Sequence, residues 1–241
     1  MEIKNIKKEF PIFKQKINGK PLVYLDSANS SQKPKVVIDK ISNFYETEFS
    51  NVGRSVHTLA VKATNRFEAV RDKVKQYINA KHREEIIFTK GATEGINLVA
   101  SSFGKKYINK GDEILVTELE HHSNYVPWHY LRSEKGAVIK FAQVNSDGDV
   151  EIDEIKKQIT NKTKIIAITH ISNVTGAVLP ITKIVDLAKE RNIPVLIDGT
   201  QGAPHSHIDM QKIGCDFYAI SCHKMYGPNG LGILYMKKKW V

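Results

Sequence analysis

Residues 216–235, DFYAISCHKMYGPNGLGILY, hold the key to this chain. The stretch opens on an apolar run, Phe217-Tyr218-Ala219-Ile220, short and bounded by a polar turn, which reads as a buried strand. Lys224 follows at once, between His223 and a Met-Tyr-Gly-Pro turn. A solvated ammonium is out of place at the end of a buried strand. Either the side chain snorkels from the sheet edge, or its amine is kept there for chemistry. A second apolar run, LGILYM (231–236), closes the stretch as another strand.

Upstream, the same alternation repeats. EEIIFT (84–89), DEILVT (112–117), AVIKFAQV (137–144), TKIIAITH (163–170) and IPVLID (193–198) read as strands. Between them lie stretches with helical spacing: 92–103, 125–136 closed by Gly136, 151–159 and 181–192. Strands that are apolar throughout, alternating with helices, imply a mainly parallel sheet covered on both faces. Before residue 84 the pattern changes, and 35–49 and 59–79 read as two helices packing beside the sheet. No repeat, low-complexity tract or linker divides the chain. It stops at MKKKWV with no closing helix, like the front part of something longer.

Composition narrows the class. The 241 residues are 41% hydrophobic and 26% charged, ordinary values for a soluble globular protein. No window approaches the length of an apolar membrane span, and MEIKNIKKEF lacks the apolar core of a secretory signal. Two cysteines, Cys215 and Cys222, make no disulfide framework and suit a reducing compartment. These features predict a cytoplasmic or organelle-matrix protein. The net charge of +10 raises the question of nucleic acid. Its lysines are scattered, however, and no zinc spacing or aromatic-basic interleaving accompanies them, so a solvated surface and no nucleic-acid partner are expected.

In an open parallel sheet, ligands bind beyond the carboxyl ends of the strands. Those ends carry Lys90-Gly91-Ala92-Thr93-Glu94, Glu118 through Asn124, Ile171-Ser172-Asn173, Asp198-Gly199-Thr200-Gln201 and Ser221-Cys222-His223-Lys224. Each has a plain structural explanation: an Asp caps a helix, and small residues start one. His121 and His122 invite a metal, yet adjacent side chains diverge and no further ligand completes a set, so none is expected. Together the groups say more. An anion cup, an imidazole, a buried carboxylate, an amide and a lysine at one edge suit a phosphorylated, cationic heterocycle bonded to an amine, which is the description of pyridoxal phosphate (PLP).

The chain resembles the fold-type I PLP enzymes of aminotransferase class V, and among them the Suf-type cysteine desulfurases and selenocysteine lyases. The stretches that carry the resemblance are YLDSANSSQKP (24–34), GRSVHTL (53–59), FTKGATEGINLVA (88–100), ELEHHSNYVPW (118–128), THISNVTGAVLP (169–180), VLIDGTQGAPH (195–205) and DFYAISCHKMYGPNGLGILY (216–235). They keep the family's order over essentially the whole chain. The resemblance implies an α/β fold: the three-layer PLP-binding large domain over residues 1–241, with a mainly parallel seven-stranded sheet and helices on both faces. Residues 1–20 would belong with a C-terminal small domain that is absent, together with a carboxylate-binding Arg and the nucleophilic Cys.

By the same resemblance, Lys224 would hold the cofactor as a Schiff base and shuttle the α-proton. Asp198 would pair with the ring nitrogen, and His121 would stack on the ring and act in acid-base steps. Gln201 would bond the phenolic oxygen, Asn173 would orient cofactor or substrate, and Ala92, Thr93, Ser221 and His223 would hold the phosphate. Arg54 and His57 would line the substrate entrance. Cys222, where the family usually has Gly, is expected to point away from the ring, and Cys215 to be a core residue. Asn29, Gly53, Thr200 and Gly202 are smaller departures. The implied activity is cysteine desulfuration to alanine, with sulfur passed as a persulfide to an acceptor protein for iron–sulfur cluster assembly, by a homodimer. Selenocysteine lysis, another class V reaction, or a non-catalytic fragment stay open.

Overall fold

The computed structural model describes residues 3–241. Seven strands make one sheet: β1 (Ile86–Thr89), β2 (Glu113–Thr117), β3 (Val138–Ala142), β4 (Thr163–Thr169), β5 (Val195–Asp198), β6 (Phe217–Ser221) and β7 (Gly232–Met236). Their order across the sheet is β1-β7-β6-β5-β4-β2-β3. Neighbours from β6 to β3 are parallel. β7 alone reverses, antiparallel to both β6 and β1. The 222–231 connection is shorter than the roughly dozen residues a parallel crossover needs, so the chain can only double back.

Helices α1 (Lys35–Asn43) and α2 (Thr58–Tyr77) precede the sheet. Helices α3 (Ala92–Val99), α4 (Val126–Lys135), α5 (Ile152–Gln158) and α6 (Ile181–Lys189) lie between its strands. Alternation along the strands sorts the core into two layers. Ile166, Ile168, Val195, Ile197, Tyr218 and Ile220 face Ile155 of α5 and Ile184 and Val185 of α6. Ile165, Ala167, Leu196, Phe217 and Ala219 face Ile96 and Val99 of α3 and Trp128 and Leu131 of α4. The three-layer α/β architecture expected from the sequence is therefore present.

Two expected helices end early as α-helices. The 92–103 stretch turns π-helical at Ala100–Gly104, and the 35–49 stretch does so at Phe44–Glu48. Packing explains both, since each wide turn carries rings into a cluster. Phe103 meets Phe217 at 5.8 Å and Trp240 at 5.1 Å, while Tyr45 stacks on Phe49 at 5.4 Å.

Glycine lets α3 descend onto the sheet. A Cβ at Gly95 would lie 3.4 Å from Leu234 Cβ, and a Cβ at Gly232 only 2.4 Å from Gly91 Cα. The second contact sets backbone against backbone, so nothing flexible can yield. Gly232→Ala should push the start of α3 off β7 and cost about 1–3 kcal/mol in urea denaturation. Unchanged stability would show that the approach is slack.

Candidate active site

The site begins where β4, β5 and β6 end. Thr169 pairs in register with Asp198, and Asp198 with Ala219. Since side chains alternate, Thr169, Asp198 and Ser221 all emerge on the face that α3 covers. Ser221 is buried, and its hydroxyl accepts the Ala92 N–H at 2.9 Å, joining the first turn of α3 to β6. Among the described residues, no acceptor meets the N–H groups of Thr93 or Glu94. Glu94 turns its carboxylate back to the Lys90 N–H. Free amides and the helix dipole leave an anion cup beside Ser221.

The carboxylate stands one strand away. Asp198 is 3% exposed, and its Oδ1 accepts the Thr200 N–H at 3.0 Å. One strand spacing across and two residues along separate the Asp198 and Ser221 positions by about 8 Å. Behind the 198–202 turn, His170 Nδ1 lies 2.8 Å from the Tyr218 hydroxyl in a buried pair. Gly199 makes room for it, because a Cβ there would sit 1.8 Å from the Tyr218 ring. Burial pushes the His170 imidazole down to about 4, so it stays neutral.

Lys224 is half-buried at the end of β6. Burial lowers its pKa from the ordinary lysine value, and the Asp198 carboxylate opposes that shift. Lys224 and Asp198 line the same cavity, so the lysine does not simply snorkel to open solvent. His121 leads into the turn His122–Asn124, where its Nδ1 accepts the Ser123 N–H at 3.1 Å. The same nitrogen lies 2.7 Å from the Ser123 hydroxyl. The His122 ring stands at 87° to it.

A cavity of about 190 Å³ gathers these groups. A water takes up about 30 Å³, so the space exceeds what a lone ion or water needs. Ala92, Thr93, His121, Asn173, Asp198, Gln201, Ser221, His223 and Lys224 all line it. Those nine are the residues expected at the cofactor. Arg54 and His57 do not line it; both are exposed, and His57 caps α2 by accepting the Ala60 N–H. Gln201 donates its side-chain amide to the Ala28 carbonyl at 2.6 Å, which ties the N-terminal segment to the rim.

Asn29, Ser123, Thr169, Ile171 and Thr200 complete the lining. Ser123, Ile171 and Thr200 belong to the strand-end stretches that the sequence places at the ligand edge without a role of their own. Asn29 and Thr200 are departures from the family pattern, and Thr169 reads only as a strand residue. Glu120, beside His121, belongs to the same strand-end stretch as Ser123. It accepts from Thr117 Oγ1 at 2.6 Å, Asn124 Nδ2 at 2.6 Å and the Thr169 N–H at 2.8 Å, binding the ends of β2 and β4 together. Burial pushes its carboxyl up to about 8 against those three donors. Neither cysteine lines the cavity. Burial pushes the Cys215 thiol up to about 12 and the Cys222 thiol up to about 11, which leaves both poor nucleophiles.

The donor set fits pyridoxal phosphate. The cup has unmatched N–H groups for a phosphate, and a buried carboxylate stands a ring's span away. Thr200 Oγ1 is buried in the cavity wall with no hydrogen-bond partner among the described residues, an orphan that a polar ligand would satisfy.

Comparison with known proteins agrees. The family model for aminotransferase class V matches residues 23–241. A probable cysteine desulfurase of Halalkalibacterium halodurans is 48% identical over 99% of this chain, which spans 59% of that relative's length. The crystal structure of the cysteine desulfurase CsdA from Escherichia coli superposes with a TM-score of 0.88 at 36% identity, over 100% of this chain and 59% of that one. The apo cysteine desulfurase from Thermococcus onnurineus gives 0.92 at 32% identity, over 99% of this chain and 58% of that one. A sheet, a cavity and a family match that coincide over nearly all of its length make the chain a member of the aminotransferase class-V family, whose enzymes depend on pyridoxal phosphate.

Proposed function

We propose that the full-length protein is a PLP-dependent cysteine desulfurase, converting L-cysteine to L-alanine. The observation that carries this reading is the convergence of Lys224, Asp198 and the α3 anion cup on one cavity. The name shared by the relatives supports cysteine, rather than selenocysteine, as substrate.

Thr93, Ser221 and His223 would hold the phosphate through N–H, hydroxyl and imidazole donors, while Ala92, its N–H given to Ser221, seats the first turn of α3 beside it. Asp198 holds a proton on the ring nitrogen through a charge-assisted hydrogen bond. When bound, pyridoxal phosphate supplies an electron sink for the carbon next to the amino group. Lys224 would anchor the cofactor by its amine and would be the group that takes up and returns a proton at the α-carbon. His121 would pack on the cofactor and exchange protons, and Asn173 and Gln201 would orient the cofactor and the amino acid. Arg54 and His57 belong to the substrate approach of the complete protein.

The net reaction breaks the Cβ–S bond of cysteine, leaves the sulfur on a thiol as a persulfide and returns a proton to carbon. Cys215 and Cys222 stand outside the cavity, so the accepting thiol is a different one. Cys222→Ser should leave turnover of the full-length protein unchanged. From the persulfide, sulfur passes to an acceptor protein for iron–sulfur cluster assembly, a cytoplasmic role. No helix among the described residues is long and apolar enough to cross a membrane. Val36, Ile41, Tyr45 and Phe49, exposed on and after α1, support a homodimer in which a second copy covers them.

The test is alanine release from cysteine by the full-length protein under reductant. Release that depends on added pyridoxal phosphate and is accompanied by an equal amount of sulfide is expected. Alanine no faster than free pyridoxal phosphate produces it would contradict the assignment.

A further inference from the structure

The turn that carries Lys224 is gripped from outside by a segment almost two hundred residues earlier. The His223 carbonyl oxygen receives the Ser31 N–H at 3.0 Å, the Ser31 hydroxyl at 2.9 Å and the Lys33 ammonium at 2.8 Å. The Ser30 hydroxyl stands further off at 3.4 Å and lies 3.2 Å from His223 Nδ1. A carbonyl has two lone pairs, so this acceptor is more than saturated.

Ser31 reaches past the lysine as well. Its oxygen accepts the Tyr226 N–H at 2.8 Å, so one hydroxyl bonds the chain on both sides of Lys224. Tyr226 has φ +65°, a left-handed conformation that a tyrosine keeps only when its surroundings impose it. Phe10 packs edge-on against the Tyr226 ring at 5.9 Å. The gripping segment is itself anchored. Tyr24 donates to the Ser30 carbonyl at 2.6 Å, and Gln201 to the Ala28 carbonyl at 2.6 Å. Ser31 is only 5% exposed, so water does not readily replace these bonds.

We propose that Ser31, assisted by Lys33, is a positioning residue that fixes the 223–226 turn and thereby holds the Lys224 amine in the cavity. The proposal rests on the reading of Lys224 as the cofactor-bearing lysine. Neither Ser31 nor Lys33 lines the cavity, so both act through the turn alone. Loosening the turn leaves Asp198 and the N–H groups of α3 in place but frees the Lys224 amine, and with it the His223 imidazole, from their positions at the cavity. The cofactor then departs faster without loss of the fold.

The test uses the full-length protein and two readouts. Hydrogen exchange of the Tyr226 amide, with the Ile166 amide of β4 as reference, reports the grip without any cofactor. The rate at which bound pyridoxal phosphate is lost to a trapping aldehyde reagent reports its consequence. Ser31→Ala should speed Tyr226 exchange at least tenfold with Ile166 unchanged, and speed cofactor loss at least threefold; Ser31→Thr should restore both. Unchanged Tyr226 exchange overturns the proposal. Faster exchange with unaltered cofactor loss overturns it too, because the grip would then be structural only. If Ser31→Ala unfolds globally, Lys33→Met decides, since it removes one donor and leaves Ser31 intact. Cofactor loss about twofold faster or more supports the grip, and wild-type retention overturns it. Failure of the wild-type protein to bind cofactor at Lys224 at all would sink the functional reading while leaving the exchange result standing.

Discussion

Lys224→Ala should end turnover, lowering it by about 10³-fold or more in the full-length protein, because the proposed chemistry uses one amine both as covalent anchor and as proton carrier. A positioned acid-base group alone contributes about 10²–10⁴-fold. Lys224→Arg should be as inactive as the alanine variant. The guanidinium keeps the charge and the stem but stays protonated, so it offers neither a nucleophile nor a base. Burial already lowers the Lys224 pKa toward the range where a neutral amine is available. Steady-state alanine release checks both variants. Substantial activity in Lys224→Arg would reduce Lys224 to an electrostatic role.

Asp198→Ala should also be damaging, by a smaller factor and for a different reason. A hydrogen bond to a charged group contributes about 1.5–3 kcal/mol, which corresponds to roughly 10–150-fold in rate. Asp198→Asn tests the charge itself, since the amide oxygen can still accept the Thr200 N–H that Asp198 Oδ1 accepts. It should lose nearly as much activity as the alanine variant. Thr93→Ala, at the anion cup, should chiefly weaken cofactor retention, and excess pyridoxal phosphate should restore its rate. Equal and mild effects from both sites would count against the assignment. The lysine supplies an independent check. Asp198 raises the Lys224 pKa and burial lowers it. Removing the carboxylate leaves burial unopposed, so the pKa should fall further. The pH profile of Lys224 acylation in cofactor-free protein should move to lower pH in Asp198→Ala; a move upward would mean that Asp198 does not face the amine.

Much of this arrangement was legible in the residues. Strands such as Ile165–Thr169 announce themselves because burial on both faces demands unbroken apolar runs. The strand-end positions of Asp198, Ser221 and Lys224 follow from where those runs stop. The reversal of β7 depended on the length of the 222–231 connection, a feature that apolar pattern does not encode. The π-turns at Ala100–Gly104 and Phe44–Glu48 depend on rings brought together by the finished fold. At the site, the motifs that carry the family resemblance picked out nine of the fourteen cavity residues. Thr200 differs: its hydroxyl matters because nothing nearby satisfies it, which only coordinates reveal. Ser31 and Lys33 lie in the YLDSANSSQKP stretch, but nothing in it points to their partners at His223 and Tyr226, which only folding brings near.

The proposed chemistry depends on one atom, the Lys224 Nζ. Borohydride reduction of the protein saturated with pyridoxal phosphate, followed by proteolysis and mass mapping, locates the amine that holds the cofactor. A single pyridoxyl adduct on Lys224, reduced in Asp198→Ala and absent in Lys224→Ala, is the predicted result. An adduct on Lys33, Lys90 or any other lysine, or none at saturation, would contradict it.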